Sequence, residues 1–233
     1  MKKTPYHIVL FPDGNRRWAK KRRLPTLKGH WQGYKNLMDF CYWCKDRGVK
    51  IVTAFGFSTE NWKRSEKEVD YLMKLFAKGL LDKKNLKRAE KENLRIKIIG
   101  QVEKLPKRLQ KAVKKIEDLT KNNKSFQLNL AVSYGGKWDI LQAVQKIIKK
   151  KIPAQNITES LFEEFLSTSG LPDPDLVIRA GGEKRLSNFL LWQAAYSELY
   201  FSKKLWPDFT KKDLDEALVE YEHRHRRFGG DSA

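Results

Sequence analysis

An α/β fold, with a central and mainly parallel β-sheet flanked by helices, is predicted by three features of the 233-residue sequence. Short β-branched and aromatic runs alternate with helical patterns, as expected of strands joined by helical crossovers. No repeat and no long linker interrupts the series. The best boundary candidate, KKKIPAQN, reads as an ordinary interhelical turn, which predicts a single domain over residues 1–233. Hydrophobic side chains make up 40% and aromatics 12%, a composition that supports a packed core and excludes a disordered chain.

Taken in order, HIVLF at 7–11 is the first strand, and a helical pattern follows Gly14. The next helical pattern carries Cys41 and Cys44 ahead of Gly48. A zinc ribbon needs a second ligand pair, and none stands at suitable spacing, so both cysteines read as buried thiols. The lack of a disulfide framework suits a reducing cytoplasm. VKIVTAFGF at 49–57 is the second strand. Ser65 and Glu68 then have capping-box spacing for the longest helix, predicted to run to about Asn93 with Val69, Leu72, Met73, Phe76 and Leu80 on one face. LRIKIIG at 94–100 and SFQLNLAVSYG at 125–135 are the third and fourth strands, the latter presenting Phe126, Leu128, Leu130 and Val132 to one side. DLVIRAGG at 175–182 and a shorter LYFS at 199–202 complete the sheet.

Lysine and arginine number 48 against 28 acidic residues, a formal charge of +20 that draws nucleic acid, acidic membranes or phosphorylated small molecules. Much of it lies in stretches such as LDKKNLKRAEKENLRIK, which read as solvated helix faces. No apolar run approaches the length of a membrane span, and the apolar part of MKKTPYHIVLF is too short for a signal peptide. The expected location is the cytoplasm, with a basic surface able to associate peripherally with acidic membranes.

Within FPDGNRRWAKKR, Asp13 ends an apolar strand and Gly14 opens a helix. Backbone N–H groups there point outward at a positive helix end, where a phosphate sits well. Asp13 would repel that phosphate unless a divalent cation lay between them, and Mg²⁺ is held by one or two carboxylates plus phosphate oxygens. An Asp N-cap before a basic first turn is the structural alternative. Far along the chain, Arg179 closes a strand, two glycines permit a tight turn, and Arg185 and Ser187 precede an apparent helix at Asn188. Fork-shaped guanidiniums, a hydroxyl and free N–H groups suit a diphosphate. In a parallel sheet both groups open on the same carboxyl edge, where α/β ligands bind. Between them FGFSTENWKRS offers Ser58, Glu60, Asn61, Trp62 and Arg64 in a polar turn.

DGNRRWA, FSTENWKR, YGGKWDI, the long segment from DLVIRAGGEKRLSNF through LWPDF, and RRFGG occur in one order. Together they resemble the cis-prenyltransferases, the undecaprenyl diphosphate synthase family, over nearly the whole chain. The resemblance implies a hydrophobic product tunnel and a reaction joining isopentenyl diphosphate to an allylic diphosphate with cis geometry, using Mg²⁺, in a homodimer or related heteromer. It implies that Asp13 binds Mg²⁺ and assists departure of the allylic diphosphate. Gly14, Asn15, Arg16, Arg17 and His30 surround that group, while Trp18 packs the first helix and the substrate entrance. Arg179, Arg185 and Ser187 bind isopentenyl diphosphate. Arg227 and Gly229 match a tail that completes this second site across the dimer, and Glu198 matches a carboxylate near the metal and the dimer contact. Asn61, Trp62 and Arg64 match a loop that orders over the substrates. Asn15 and Ser58 lie near the expected reaction centre, although neither is a strong base. Pro12, Arg16, Thr26 and Lys184 depart from common family residues at positions bearing on allylic affinity and metal geometry.

The expected product is a medium-length (Z)-polyprenyl diphosphate such as undecaprenyl diphosphate, made from farnesyl or geranyl diphosphate. Phe126 and Val132 are expected at the tunnel floor, and Gly56 is expected to leave space. A short-chain or branched-product synthase of the same family is the alternative. A basic nucleic-acid-binding protein is the reading from another class, but no recognised motif accompanies the charge, so no specific nucleic-acid partner is expected.

Overall fold

The computed structural model describes residues 4–224, so Arg227 and Gly229 lie outside the described residues. Its strands are β1 (His7–Phe11), β2 (Ile51–Ser58), β3 (Leu94–Ile99), β4 (Phe126–Tyr134), β5 (Leu176–Arg179) and β6 (Glu198–Phe201). They form one six-stranded sheet in the order β3-β4-β2-β1-β5-β6, with every neighbouring pair parallel. The unbroken apolar run of β1 follows from its central place, covered on both faces. Alternation sends Ile8 and Leu10 to one core and Val9 and Phe11 to another on the opposite face.

The helices are α1 (Asn15–Lys21), α2 (Thr26–Asp46), α3 (Glu66–Leu81), α4 (Lys83–Lys91), α5 (Lys107–Thr120), α6 (Gly136–Lys149), α7 (Glu159–Glu163) and α8 (Lys211–Glu222). Side chains of α2, α3, α5 and α8 pack on the Ile8/Leu10 face. Cys41 and Cys44 are buried there. Loss of solvent pushes the Cys41 thiol up to about 12 and that of Cys44 well above its ordinary value, as inert core thiols require. On the opposite face Asp139 of α6 is buried and fully engaged. It accepts from Tyr134 Oη at 2.9 Å, Ser167 N at 2.9 Å, Gln142 Nε2 at 3.0 Å and Gln193 Nε2 at 3.3 Å.

Three local expectations are corrected. The helix starting at Glu66 stops at Leu81, because Asp82 is extended and its Oδ1 accepts from Lys84 N at 2.9 Å and Asn85 N at 3.3 Å, which starts α4. The Ser65/Glu68 capping box is not made, since the Glu68 carboxylate turns inward to His30 and Arg64. No helix opens at Asn188: Ser187, Asn188 and Leu190 all have positive φ, and the segment is a series of turns.

The connection leaving β1 leads to β2 on one side, and that leaving β5 leads to β6 on the other. The carboxyl ends of β1 and β5 therefore flank the point where the winding reverses, the place where open parallel sheets form a ligand crevice. The register sets Phe11 beside Arg179 at that edge.

Candidate active site

Asp13 follows β1 by two residues. Its backbone carbonyl accepts from Trp206 N at 2.9 Å, and Trp206 Nε1 donates to Gly33 O of α2 at 2.8 Å. Asn36 Nδ2 holds the same turn through Trp206 O and Phe209 O. Gly14 takes φ +105°, and a Cβ there would meet Leu205 Cδ2 at 2.8 Å, so glycine is required on both counts. The backbone carrying Asp13 is thus clamped between β1, α2 and the 205–209 turn.

Two arginines converge on the Asp13 carboxylate. Arg179 Nη2 lies 2.9 Å from Oδ2, and Arg17 Nη2 lies 3.3 Å from Oδ1. Arg179 is 4% exposed, spends Nη1 on Ser187 Oγ at 2.8 Å and on Arg185 O, and lies against the Phe11 ring. Its Nε is buried without a partner, as is Asn15 Oδ1. Gly181, at φ +92°, lets Arg17 pass, since a Cβ would come within 2.7 Å of Arg17 Nη2. Phe189 anchors the loop bearing Arg185 and Ser187 by stacking on Phe55, with centroids 4.1 Å apart and planes at 3°.

A second cluster centres on a carboxylate that sequence reasoning assigned to a helix cap. Glu68 Oε1 accepts from His30 Nε2 at 3.0 Å and Arg64 Nη1 at 2.9 Å, and Oε2 lies 3.9 Å from Arg16 Nε. Burial works to raise the Glu68 pKa, but His30 and the two arginines outweigh it and hold the carboxyl below its usual range. For His30 burial prevails over Glu68 and lowers the pKa, which favours the neutral ring. An ionised carboxylate only accepts, so Nε2 carries the proton and Nδ1 is the free acceptor.

The remaining candidates divide clearly. Ser58 and Asn61 cap each other's turn through Ser58 N and Asn61 Oδ1 at 3.2 Å. Trp62 anchors that turn, donating from Nε1 to Ser133 Oγ at 2.9 Å and packing edge-on against Phe57. Glu60 Oε1 accepts from Asn188 Nδ2 at 2.9 Å and so ties this turn to the Arg185 loop. Trp18 lies on the outer side of α1, with Nε1 on Asp208 at 2.7 Å and Arg22 over its ring, and does not line the site. Glu198 opens β6 opposite Leu176, three residues or about 10 Å from the carboxyl edge, and takes Arg224 Nη1 at 2.9 Å. One chain does not bring it to Asp13.

Part of this set rims a cavity of about 560 Å³, while Arg16, Arg17 and Arg185 stand beside its lining. Asp13, Asn15, His30, Ser58, Asn61, Arg64, Arg179 and Ser187 lie at its polar mouth. Leu72, Leu75, Phe76 and Leu80 of α3, Leu128 and Leu130 of β4, Leu94 and Ile96 of β3 and Ile116 of α5 make the apolar remainder. Leu94 aligns with Phe126 and Ser58 with Tyr134, eight residues apart on β4. The cavity therefore runs about 26 Å down the sheet. Among the described residues, no group of three or more His, Cys, Asp or Glu side chains is placed to hold a metal. Asp13 is a hard oxygen donor whose carboxylate lies between Arg17 and Arg179. That donor set fits a Mg²⁺ that brings diphosphate oxygens with it, not a metal caged by protein.

A family model described as putative undecaprenyl diphosphate synthase matches residues 11–229. The isoprenyl transferase of Thermotoga maritima is 48% identical over 98% of this chain and 98% of its own length. That of Neisseria meningitidis serogroup A is 47% identical over 97% and 89%. Lavandulyl diphosphate synthase from Lavandula x intermedia, solved with dimethylallyl diphosphate, superposes with a TM-score of 0.92 at 38% identity, covering 97% of this chain and 98% of that one. A probable undecaprenyl diphosphate synthase from Campylobacter jejuni gives 0.80 at 34%, covering 98% and 100%.

Because Glu68 holds both His30 and Arg64, Glu68→Gln is expected to weaken inorganic diphosphate binding roughly tenfold, the loss of about one charge-assisted hydrogen bond. Calorimetric titration checks this, and unchanged affinity would remove Glu68 from the site.

Proposed function

The chain belongs to the undecaprenyl diphosphate synthase family and is a prenyltransferase, and from that premise we propose that it elongates an allylic diphosphate, farnesyl or geranyl diphosphate, with isopentenyl diphosphate in cis geometry. The observation carrying this reading is a cavity with an Asp13–arginine cluster at its mouth and an apolar length of about 26 Å beneath it. A charged head and a growing hydrocarbon tail need that division.

Asp13 would hold Mg²⁺ on the allylic diphosphate, with Gly14, Asn15, Arg16, Arg17 and His30 around the same group. When bound, the metal neutralises charge that develops on the departing diphosphate. Cleavage of the allylic carbon–oxygen bond sends the electron pair to that diphosphate, and Arg17 stabilises the growing charge from a fixed position. Arg179, Arg185 and Ser187 hold isopentenyl diphosphate so that its double bond meets the allylic cation. The new bond leaves a cation on the added unit, and loss of a proton restores a double bond. Asn15 and Ser58 are weak bases, which leaves a diphosphate oxygen as the acceptor in this scheme.

Chain length is attributed to different residues from those expected. Phe126 and Val132 are buried in the core and do not line the cavity. Gly56 lines the cavity and leaves room as expected, since a Cβ there would press on Leu130 Cδ1 at 2.9 Å. The deepest lining residues by strand register are Leu94, Ile96 and Leu128, with Ile116 facing them from α5. These apolar walls support a medium-length (Z)-polyprenyl diphosphate such as undecaprenyl diphosphate.

The homodimer in this reading would form through α6, a proposal supported by Leu141, Val144 and Ile148, which fall at helical spacing with exposures of 61%, 39% and 68%. A groove with an excess of basic residues, lined by Lys74, Lys78, Lys83 and Arg108 together with Asp82, backs the α3 wall of the cavity and would meet acidic lipid.

Labelled isopentenyl diphosphate supplied with farnesyl diphosphate and Mg²⁺ should yield a ladder of elongated products. Asp13→Ala should lower the rate by about three orders of magnitude, the size of effect seen when transition-state charge stabilisation is removed. Ile116→Ala should lengthen the products, whereas Phe126→Ala should leave their length unchanged and cost about 3–5 kcal/mol of stability. No incorporation by the unaltered chain would end this reading. Light scattering should give a dimer mass that Leu141→Asp with Ile148→Asp reduces to a monomer; a mass unaffected by the pair would place the contact elsewhere. Vesicles rich in phosphatidylglycerol should co-sediment the protein at low salt and neutral vesicles should not, and equal behaviour would remove the lipid reading.

A further inference from the structure

The two arginine groups are joined by a carboxylate, that of Glu183. Glu183 Oε1 lies 3.3 Å from Arg17 Nη1, and Glu183 Oε2 lies 2.6 Å from Arg185 Nη1. Arg17 at the same time reaches Asp13, which is held by Arg179. Charges of alternating sign therefore run Arg185, Glu183, Arg17, Asp13, Arg179 across the mouth. The Glu183 side chain is 33% exposed, those of Arg17 and Arg185 44% and 60%, so these contacts form and break with the side chains alone. The backbone beneath is fixed. Gly181 N donates to Lys204 O at 2.7 Å and Gly182 N to Ser202 O at 2.8 Å, which pins the turn that carries Glu183.

We propose that Glu183 couples the two diphosphate subsites: its carboxylate spans Arg17 and Arg185, competes with either incoming diphosphate for its arginine, and makes binding of the second diphosphate easier once the first has displaced it. This rests on the reading that Arg17 serves the allylic diphosphate and Arg185 the isopentenyl diphosphate. A diphosphate that takes the whole fork of Arg17 repels the Glu183 carboxylate. Once Glu183 has swung away, Arg185 has lost its anion as well, and isopentenyl diphosphate enters without displacing one. By linkage the reverse order gives the same factor. Glu183 is thus a positioning residue that touches both arginines and takes no part in bond making.

The experiment is calorimetric titration of isopentenyl diphosphate into the full chain with Mg²⁺ present, in the absence and presence of saturating farnesyl thiodiphosphate, whose sulfur-linked diphosphate is too poor a leaving group for turnover. The unaltered protein should bind isopentenyl diphosphate about five times more tightly when the thiodiphosphate is bound, at the low end of ordinary coupling. Glu183→Gln, which keeps shape and removes charge, should bind isopentenyl diphosphate alone several-fold more tightly and reduce the coupling towards one. Weaker binding to Glu183→Gln alone would mean that the carboxylate supports Arg185 and does not compete, which overturns the proposal. Binding by the unaltered chain with the same coupling in the variant overturns it while leaving the proposed function standing. No binding of either ligand by the unaltered chain removes the function and this inference together.

Discussion

The Asp13–Arg179 ion pair is the constraint on which the rest of the site depends. Arg179 is almost fully buried, and a buried guanidinium is tolerated only when its charge is matched and most of its donors are used, Nε being the one left over here. Asp13 supplies the charge, while Ser187 Oγ and Arg185 O use the other end of the fork. The pair can form because β1 and β5 are neighbours in register, so that Phe11 stands beside Arg179 and Asp13 lies just past the edge. Burial and pairing together restrict the rotamers of both side chains, and a head-group site needs that fixity before any substrate arrives.

Around this pair the protein separates two solvents. The carboxyl edge gathers polar groups from four segments that lie far apart in the chain. The wall below is made by the inner face of α3 and alternate residues of β3 and β4. One helix, α3, is apolar on its inner side and carries Lys74 and Lys78 on its outer side, so a single element separates the apolar cavity from water. The break at Asp82 follows from the same requirement: the KKN run that comes next could not continue the apolar face, and the cap lets the chain turn.

The loops over the mouth are held by contacts outside it. Trp62 secures the turn after β2 to Ser133, Phe189 secures the turn after β5 to Phe55, and Glu60 joins the two turns through Asn188. None of these three touches a reacting atom in the proposed chemistry, yet each fixes the position of a neighbour that would. Positive φ at Ser187 and Asn188 belongs with this, because a strained turn persists only where its surroundings determine it.

The parallel α/β class, the strands and the residues of both arginine clusters were legible in the sequence, because strand periodicity, turn chemistry and arginine-rich motifs are local properties. Asp13, Arg17, Arg179 and Ser187 came together as their motifs implied. Glu68 was misread as a cap, since the spacing from Ser65 is identical whether its carboxylate turns back to the backbone or inward to His30. Phe126 and Leu128 share one strand face, and nothing in alternation says which of them borders a cavity and which fills the core. Glu198 lay in the same motif as Arg179 but ended at the far end of the strands, because sequence distance along a motif does not tell which edge of a parallel sheet a residue reaches. Periodicity and residue chemistry determined the elements and the charged groups they carry; packing alone decided which faces enclose space, because a cavity belongs to several segments at once and to none of them separately.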